Sequence, residues 1–385
     1  MSKPTTRTYI PTRNSHPRRQ LIGQRRKLAL LMAAHNEELV IGATIQSAIA
    51  AGQDPRDIYV VDDNSSDVTR QIAVSLLGED NVLSVERSGK ALAIQKAVKH
   101  FRIESRYIWL HITDADSVFA PNYFQEYRKK LNARKYAVAV GFVQSMRGNW
   151  LCTYRALTYT FSQHVHRRIQ AWLGMISVFP GPITCFRTDI FSKLEFGSHS
   201  LTEDFDITLQ VHRKKLGNIV FIPRAVNYTQ DPQTLSDFIK QNLRWQRGLF
   251  QGIKKYRIGL RPQRIDVSLG FQMMQMVVFL LQMSILIPII ITTTGSWLII
   301  PVWFAADVAI NGLIAIWASI VARRWNLLSA LPYFHFLRAI EIGIYLWAFV
   351  EVVLLGRFKD EVKGWATEGR RYKLTSEAMA DIAAK

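Results

Sequence analysis

The sequence is poor in cysteine: Cys152 and Cys185 are its only two among 385 residues, and neither belongs to a C-x-x-C pair. That argues against a disulfide framework and against a cysteine-based zinc site, and it fits a reducing, cytoplasmic setting. Acidic residues are scarce as well, with 30 Asp and Glu against 49 Lys and Arg, a formal net charge of +19. An excess of that size calls for an anionic partner or surface, either nucleic acid or the headgroups of a membrane leaflet. The first 27 residues hold eight Lys and Arg, no Asp or Glu, and no apolar run. They are not a secretory signal peptide, and read as a disordered basic tail, beside lipid headgroups or merely solvated. No internal repeat is found, and long uncharged apolar runs are missing until about residue 266.

Beyond that point they dominate. Val267–Gly295 carries no charge, Trp297–Ala322 carries only Asp307, and Ala330–Leu355 carries Arg338, Glu341 and Glu351. Each is long enough to span a bilayer, so about three transmembrane segments are expected over 267–356, followed by a basic tail over 357–385. Charges inside a membrane face a bundle interior or a polar path, and Arg338 and Glu341, three apart, can pair on one helical face. With the N-terminal part cytoplasmic, two crossings return Arg323 and Arg324 to the cytoplasmic side, as the positive-inside rule asks. A third crossing would put the basic tail outside, against that rule, unless one segment is re-entrant or interfacial. The apolar third of the chain favours a membrane, and no nucleic-acid partner is expected.

Residues 28–234 alternate short apolar runs with helical stretches. Lys27–Ala34, Asp57–Asp62, Val82–Glu86, Arg106–Thr113 and Tyr136–Val143 read as strands. Helices follow to Ala51, to Gly78 and over Lys90–His100, with Asn36 and Asp67 as candidate caps. Such alternation implies a mostly parallel sheet covered on both faces, with ligands at the carboxyl ends of its strands. His35-Asn36-Glu37, Asp62-Asp63 and Asp114-Ala115-Asp116 all fall there, which points to one shared pocket. Over 235–266 the apolar positions Leu235, Ile239, Leu243, Phe250 and Ile253 share the chain with basic residues. An amphipathic helix in the membrane interface fits that pattern, and so does a surface helix on the core.

Several of these residues suit chemistry at a sugar nucleotide. A divalent cation bound by carboxylates and phosphate oxygens neutralises a diphosphate, and Asp114 and Asp116 suit that role. Asp-x-Asp triplets also arise by chance, and the chain has a second, Asp204-Phe205-Asp206. Asp62 and Asp63 could accept hydrogen bonds from uracil or ribose, or could simply cap a turn. Lys90 could meet a phosphate as a point charge, although taken alone it reads as a surface lysine. In Thr202-Glu203-Asp204, Asp204 could take a proton from an acceptor hydroxyl, or cap a helix. Arg244 could stabilise a leaving diphosphate, and Trp245 could stack on a sugar face.

In order, Asp62-Asp63, Asp114-Ala115-Asp116, Thr202-Glu203-Asp204 and Gln241-x-x-Arg244-Trp245 resemble the motifs of processive family 2 glycosyltransferases. These include cellulose, chitin and hyaluronan synthases and poly-N-acetylglucosamine synthases, and the resemblance covers roughly residues 28–260. It implies a GT-A fold, Rossmann-like with a mostly parallel sheet, followed by interface helices and C-terminal transmembrane helices. It implies inverting transfer from a UDP-sugar, N-acetylglucosamine or glucose, to the end of a growing saccharide or to a lipid-linked acceptor. Asn36, Glu37, Asp62, Asp63, Lys90 and Asp114 would bind the nucleotide, and Asp114 and Asp116 would hold Mg2+ or Mn2+. Asp204 would be the general base, and Glu203, Gln241, Arg244 and Trp245 would hold acceptor and diphosphate. Gly181–Arg187 is similar to an acceptor-side loop of the hyaluronan synthases. Gly364-Trp365 with Arg370 only loosely resembles the family's C-terminal tryptophan motif. Few membrane helices leave little wall for a channel, which a homo-oligomer, an accessory subunit or short products could offset. Two other readings compete: a transferase placing one sugar on a polyprenyl phosphate or glycolipid, and a basic membrane-anchored binding protein.

Overall fold

The computed structural model describes residues 26–196, 201–260 and 263–357. Nearly all of the basic tail expected over 1–27, the tail expected after 357 and the loose tryptophan motif at Gly364-Trp365 lie outside them. Eight strands form one sheet: β1 (Arg26–Ala34), β2 (Ile58–Asp62), β3 (Val82–Ser84), β4 (Tyr107–Asp114), β5 (Ser117–Phe119), β6 (Tyr136–Ser145), β7 (Thr184–Arg187) and β8 (Asn218–Thr229). Their spatial order is β3-β2-β1-β4-β7-β6-β8-β5. The half β3-β2-β1-β4 is parallel throughout, as the alternation of strand and helix predicts. The other half is mixed, because β7 runs antiparallel to both β4 and β6, and β5 runs antiparallel to β8. Three strands escape the sequence reading for physical reasons. β5 and β7 have three and four residues, too few to establish a period. β8 contains Pro223 and crosses register shifts against β6, so its alternation breaks midway.

Helices cover both faces. They are α1 (Ile41–Ala50), α2 (Thr69–Leu77), α3 (Lys90–His100), α4 (Tyr123–Lys130), α5 (Trp150–Phe161), α6 (Arg167–Trp172), α7 (Glu203–Arg213) and α8 (Leu235–Lys255). A π turn, Ser162–His166, joins α5 to α6. Along β1, Leu28, Leu30, Met32 and Ala34 enter one apolar cluster while Ala29, Leu31 and Ala33 enter the other. The period of two is therefore present but hidden in the sequence, since both faces are buried. Asn36 does not cap α1, as expected of it: the helix starts five residues later, and Asn36 adopts a left-handed φ of 54°. Its Oδ1 instead accepts the Ser66 N–H at 2.8 Å, stitching the turn after β1 to the turn after β2.

After α8 come α9 (Arg264–Leu281), a π turn and α10 (Ile287–Thr294), then α11 (Ile299–Ala322) and α12 (Leu331–Phe349). Among the described residues, two helices are long and apolar enough to cross a membrane: the continuous 264–294 segment, with none of its most apolar stretch buried, and α11. Each has an anchor on the sheet-bearing body. Asp266, where the composition turns apolar, takes two hydrogen bonds from Arg213 of α7 at 2.7 and 2.6 Å. Just past α11, the buried Arg324 donates to the Ser145 carbonyl at the end of β6, at 2.9 Å. The pair is thus a hairpin that leaves the sheet-bearing body and returns to it. The third expected segment behaves differently. α12 lies along α8, burying Leu337, Ile344 and Ala348, and its continuation buries Val352 and brings Glu351 to Arg247 at 2.7 and 2.9 Å. The expected Arg338–Glu341 pair does not form. Arg338 reaches across to Asp307 of α11 at 2.9 Å, and Glu341 accepts from Tyr154 of α5 at 2.8 Å.

Candidate functional site

The register of the parallel strands gathers the acidic clusters. Ala34 pairs with Asp62, and Ala33 with Asp114, so the turns after β1, β2 and β4 share one carboxyl edge. Thr44 of α1 donates to the Ala115 carbonyl at 2.6 Å and holds the Asp114–Asp116 turn from below. Asp62 accepts the Ser65 N–H at 3.1 Å, closing its own turn. The Asp63 carboxylate is fully buried. It accepts from Ser88 N–H at 2.8 Å and Gly89 N–H at 2.9 Å, with Arg87 at 3.3 Å. Asp63 thereby shapes the loop that delivers Lys90 to the first turn of α3.

Lys90 is the centre of the site. Its ammonium lies 2.5 Å from Asp114 Oδ1 and 3.2 Å from Glu203 Oε1, joining the end of β4 to the start of α7. Burial alone would lower its pKa, but Asp114 and Glu203 overcome that and hold it above the usual lysine value. The Pro180–Pro182 turn runs over this pair. A β-carbon on Gly181 would lie 2.9 Å from Lys90 Nζ and 3.4 Å from Asp114 Oδ1, so only glycine fits there without displacing them. Asp204, next along α7, is pushed up to about 6 by burial and by Glu203, while Lys90, the Phe205 N–H and Arg244 oppose the shift. It does not cap α7: its Oδ1 accepts from the Phe205 N–H at 2.8 Å. The other carboxylate of that triplet, Asp206, turns away to Lys255 and Tyr256 at 2.7 and 3.0 Å.

α8 completes the site. Arg244 donates to the Leu201 carbonyl at 3.2 Å, steadying the approach to α7, and its charge acts on Asp204. Gln241 is buried, and its Oε1 has no hydrogen-bond partner. Below them, Gly248 and Gly252 let α7 approach closely. The indole of Trp245 meets the guanidinium of Arg155 from α5, 4.8 Å from ring centroid to Cζ. In sequence, Arg155 and Arg167 are only charges among aromatic residues over 150–168, with nothing to aim them. Arg167 is buried, and burial pushes it down to about 10, with Asp204 the charge that opposes this.

The donor set fits a divalent ion of a particular kind. Among the described residues, no three His, Cys, Asp or Glu side chains converge as a metal cage. Two carboxylates, Asp114 and the buried Asp116, stand at the edge of the site. That set suits an ion bound through one or two carboxylates, with a diphosphate and water completing the shell.

Residues 109–341 match the family described as Glycosyl transferase family group 2. A poly-beta-1,6-N-acetyl-D-glucosamine synthase of Staphylococcus epidermidis is 25% identical over 228 residues, covering 57% of this chain and 54% of the relative. Its counterpart from Staphylococcus aureus is 24% identical over 231 residues, with the same coverage. The chain thus spans about half the length of the curated relatives it matches. Among solved structures, a mannosyltransferase from Pyrobaculum calidifontis in complex with GDP-Man and Mn2+ superposes with a TM-score of 0.52. At 17% identity, over 84% of this chain and 88% of the other, that likeness establishes a shared GT-A fold.

Proposed function

The chain belongs to glycosyl transferase family group 2, and from that premise we propose that it transfers N-acetylglucosamine from UDP-N-acetylglucosamine, with inversion, to the end of a growing saccharide at the cytoplasmic face of a membrane. The observation that carries the reading is the Lys90–Asp114–Glu203 bridge, with Asp204 under the charges of Glu203, Lys90 and Arg244. The choice of sugar follows the two poly-N-acetylglucosamine synthases among its relatives.

In this reading the turns after β1 and β2, with Asn36, Glu37, Asp62 and Asp63, cradle the uridine, and Lys90 meets the diphosphate. Asp114 and Asp116 would hold Mg2+ or Mn2+, which supplies charge neutralisation at the diphosphate. Asp204 takes the proton of the acceptor hydroxyl, so that the oxygen attacks the anomeric carbon from the face opposite the leaving UDP. A carboxyl near 6 is ionised at neutral pH yet basic enough for that transfer. Lys90 and Arg244 offset the negative charge that grows on the departing UDP. Gln241 and Trp245 hold the acceptor.

The hairpin 264–322 would cross the bilayer twice, and α12 would lie at the interface along α8. That arrangement keeps the positive-inside rule, since the chain end stays on the catalytic side.

The test is to incubate detergent-solubilised protein and Mn2+ or Mg2+ with a panel of UDP-sugars, reading UDP release and product size. A size ladder from UDP-N-acetylglucosamine, abolished in Asp204→Asn, supports the proposal. A single lipid-linked product would replace it with the one-sugar transferase. No turnover together with no UDP binding would end both.

A further inference from the structure

Arg155 is 4% exposed, and although Asp231 and Glu341 act on its charge, no salt bridge to a carboxylate within 4 Å is found for it among the described residues. Aromatic rings surround it instead. Its Cζ stands 4.8 Å from the Trp245 centroid, 5.1 Å from that of Phe238 and 5.7 Å from that of Tyr159. Nη1 donates to the Tyr159 hydroxyl at 3.1 Å, whereas Nη2 is buried with no hydrogen-bond partner. A buried guanidinium with an idle donor is expensive, because the unmet donor carries its full desolvation cost until a ligand or water satisfies it. The second idle group is close in the fold. Gln241, 3% exposed, also has an unpartnered Oε1 and lies one helical turn before Trp245 on the same face of α8. An idle donor and an idle acceptor therefore flank one indole. A sugar unit matches that set, since each hydroxyl both donates and accepts and the ring offers an apolar face. The helix carrying Arg155 passes into the π turn Ser162–His166, a distortion that frequently marks functional segments.

We propose that Arg155 is a further acceptor-binding residue, backing the Trp245 indole with its guanidinium and donating from Nη2 to an oxygen of the acceptor saccharide. This rests on the transferase reading above.

The test uses the full chain in detergent with UDP-N-acetylglucosamine and a soluble N-acetylglucosamine oligosaccharide as acceptor. Arg155→Met keeps bulk and removes every guanidinium donor, and Arg155→Lys keeps the charge with a different donor geometry. The expected result is an acceptor KM raised about ten- to a hundredfold in Arg155→Met, the range for a lost charged hydrogen bond. The donor KM stays within about twofold and Arg155→Lys falls between. An unchanged acceptor KM overturns the proposal. So does an equal rise of donor and acceptor KM in both variants, which marks a packing role. If Arg155→Met does not fold, the same split in Arg155→Lys decides. A wild-type chain that turns over no UDP-sugar and binds no UDP removes the transferase reading and this proposal with it. An active wild type with an unaltered acceptor KM in the variants removes this proposal alone.

Discussion

Thr202 lies directly against Gly248, with no room between them for a β-carbon, and one turn on, a β-carbon at Gly252 would fall 2.5 Å from Phe205 Cε1. Arg244, Gly248 and Gly252 are spaced by four, so they share a face of α8. The two glycines cut a notch in which the start of α7 seats, and the seat sets Glu203 and Asp204 beneath Arg244. Gly248→Ala is expected to overpack this contact, lowering stability by about 1–3 kcal/mol, and to slow transfer more than it weakens UDP binding. Thermal unfolding and UDP affinity measured beside the transfer rate check this; an unaltered melting temperature and rate would refute it.

The Asp204 carboxyl, pushed up to about 6 by burial and Glu203, makes two pH predictions. A base must be ionised, so the transfer rate is expected to fall about tenfold per unit below about pH 6. The stability effect has the opposite sign. A carboxyl raised above its unfolded value stabilises the fold while protonated, and that contribution is lost as pH rises through about 6. Asp204→Asn, neutral throughout, should melt higher than wild type near neutral pH and alongside it at about pH 4. A rate that is flat down to about pH 5 would remove Asp204 as the base.

Lys90 compensates two carboxylates, so Lys90→Met leaves Asp114 and Glu203 facing each other without their cation. UDP affinity is expected to drop at least about tenfold, the scale of one lost charged contact. Because Lys90 also holds the Asp204 carboxyl down, the acid limb of the rate profile should move to higher pH in any residual activity. UDP titration and a pH–rate profile report the two effects, and retained UDP affinity would dissociate Lys90 from the diphosphate.

Chelation tests the ion. With only Asp114 and Asp116 offered among the described residues, binding should be weak without donor, and EDTA is expected to abolish UDP-sugar turnover reversibly. Restoration by Mn2+ or Mg2+ completes the check. Full turnover in the chelator would leave the two carboxylates to another task.

Membrane topology gives the remaining prediction. With α12 lying along α8 through Arg247–Glu351 and Phe250, a reporter fused after residue 385 should sit on the same side as the catalytic domain. Labelling from the opposite side would restore a third crossing.

Much of this was legible from residue order. The parallel half of the sheet follows from Lys27–Ala34, Asp57–Asp62 and Arg106–Thr113, because alternating apolar runs and helices admit few arrangements. The motif residues Lys90, Asp114, Glu203 and Asp204 do meet. Asp63 was legible as a candidate but not as the organiser of the Lys90 loop, since backbone hydrogen bonds to a carboxylate leave no sequence signal. Gly181, Gly248 and Gly252 were opaque for a related reason: a glycine chosen for close approach looks the same as one chosen for a turn. Arg338 and Glu341 show the limit of local spacing, since three-residue separation permits a pair that tertiary partners on α5 and α11 displaced.

The Asp266–Arg213 and Arg324–Ser145 bonds have a mechanical meaning. A body tethered at one point can swing in every direction, and a body tethered at two keeps a single axis of rotation. The apolar hairpin is therefore hung from the sheet-bearing body as a gate is hung on two pins, so that any tilt of the carboxyl edge of the sheet against it is confined to the line through Asp266 and Arg324.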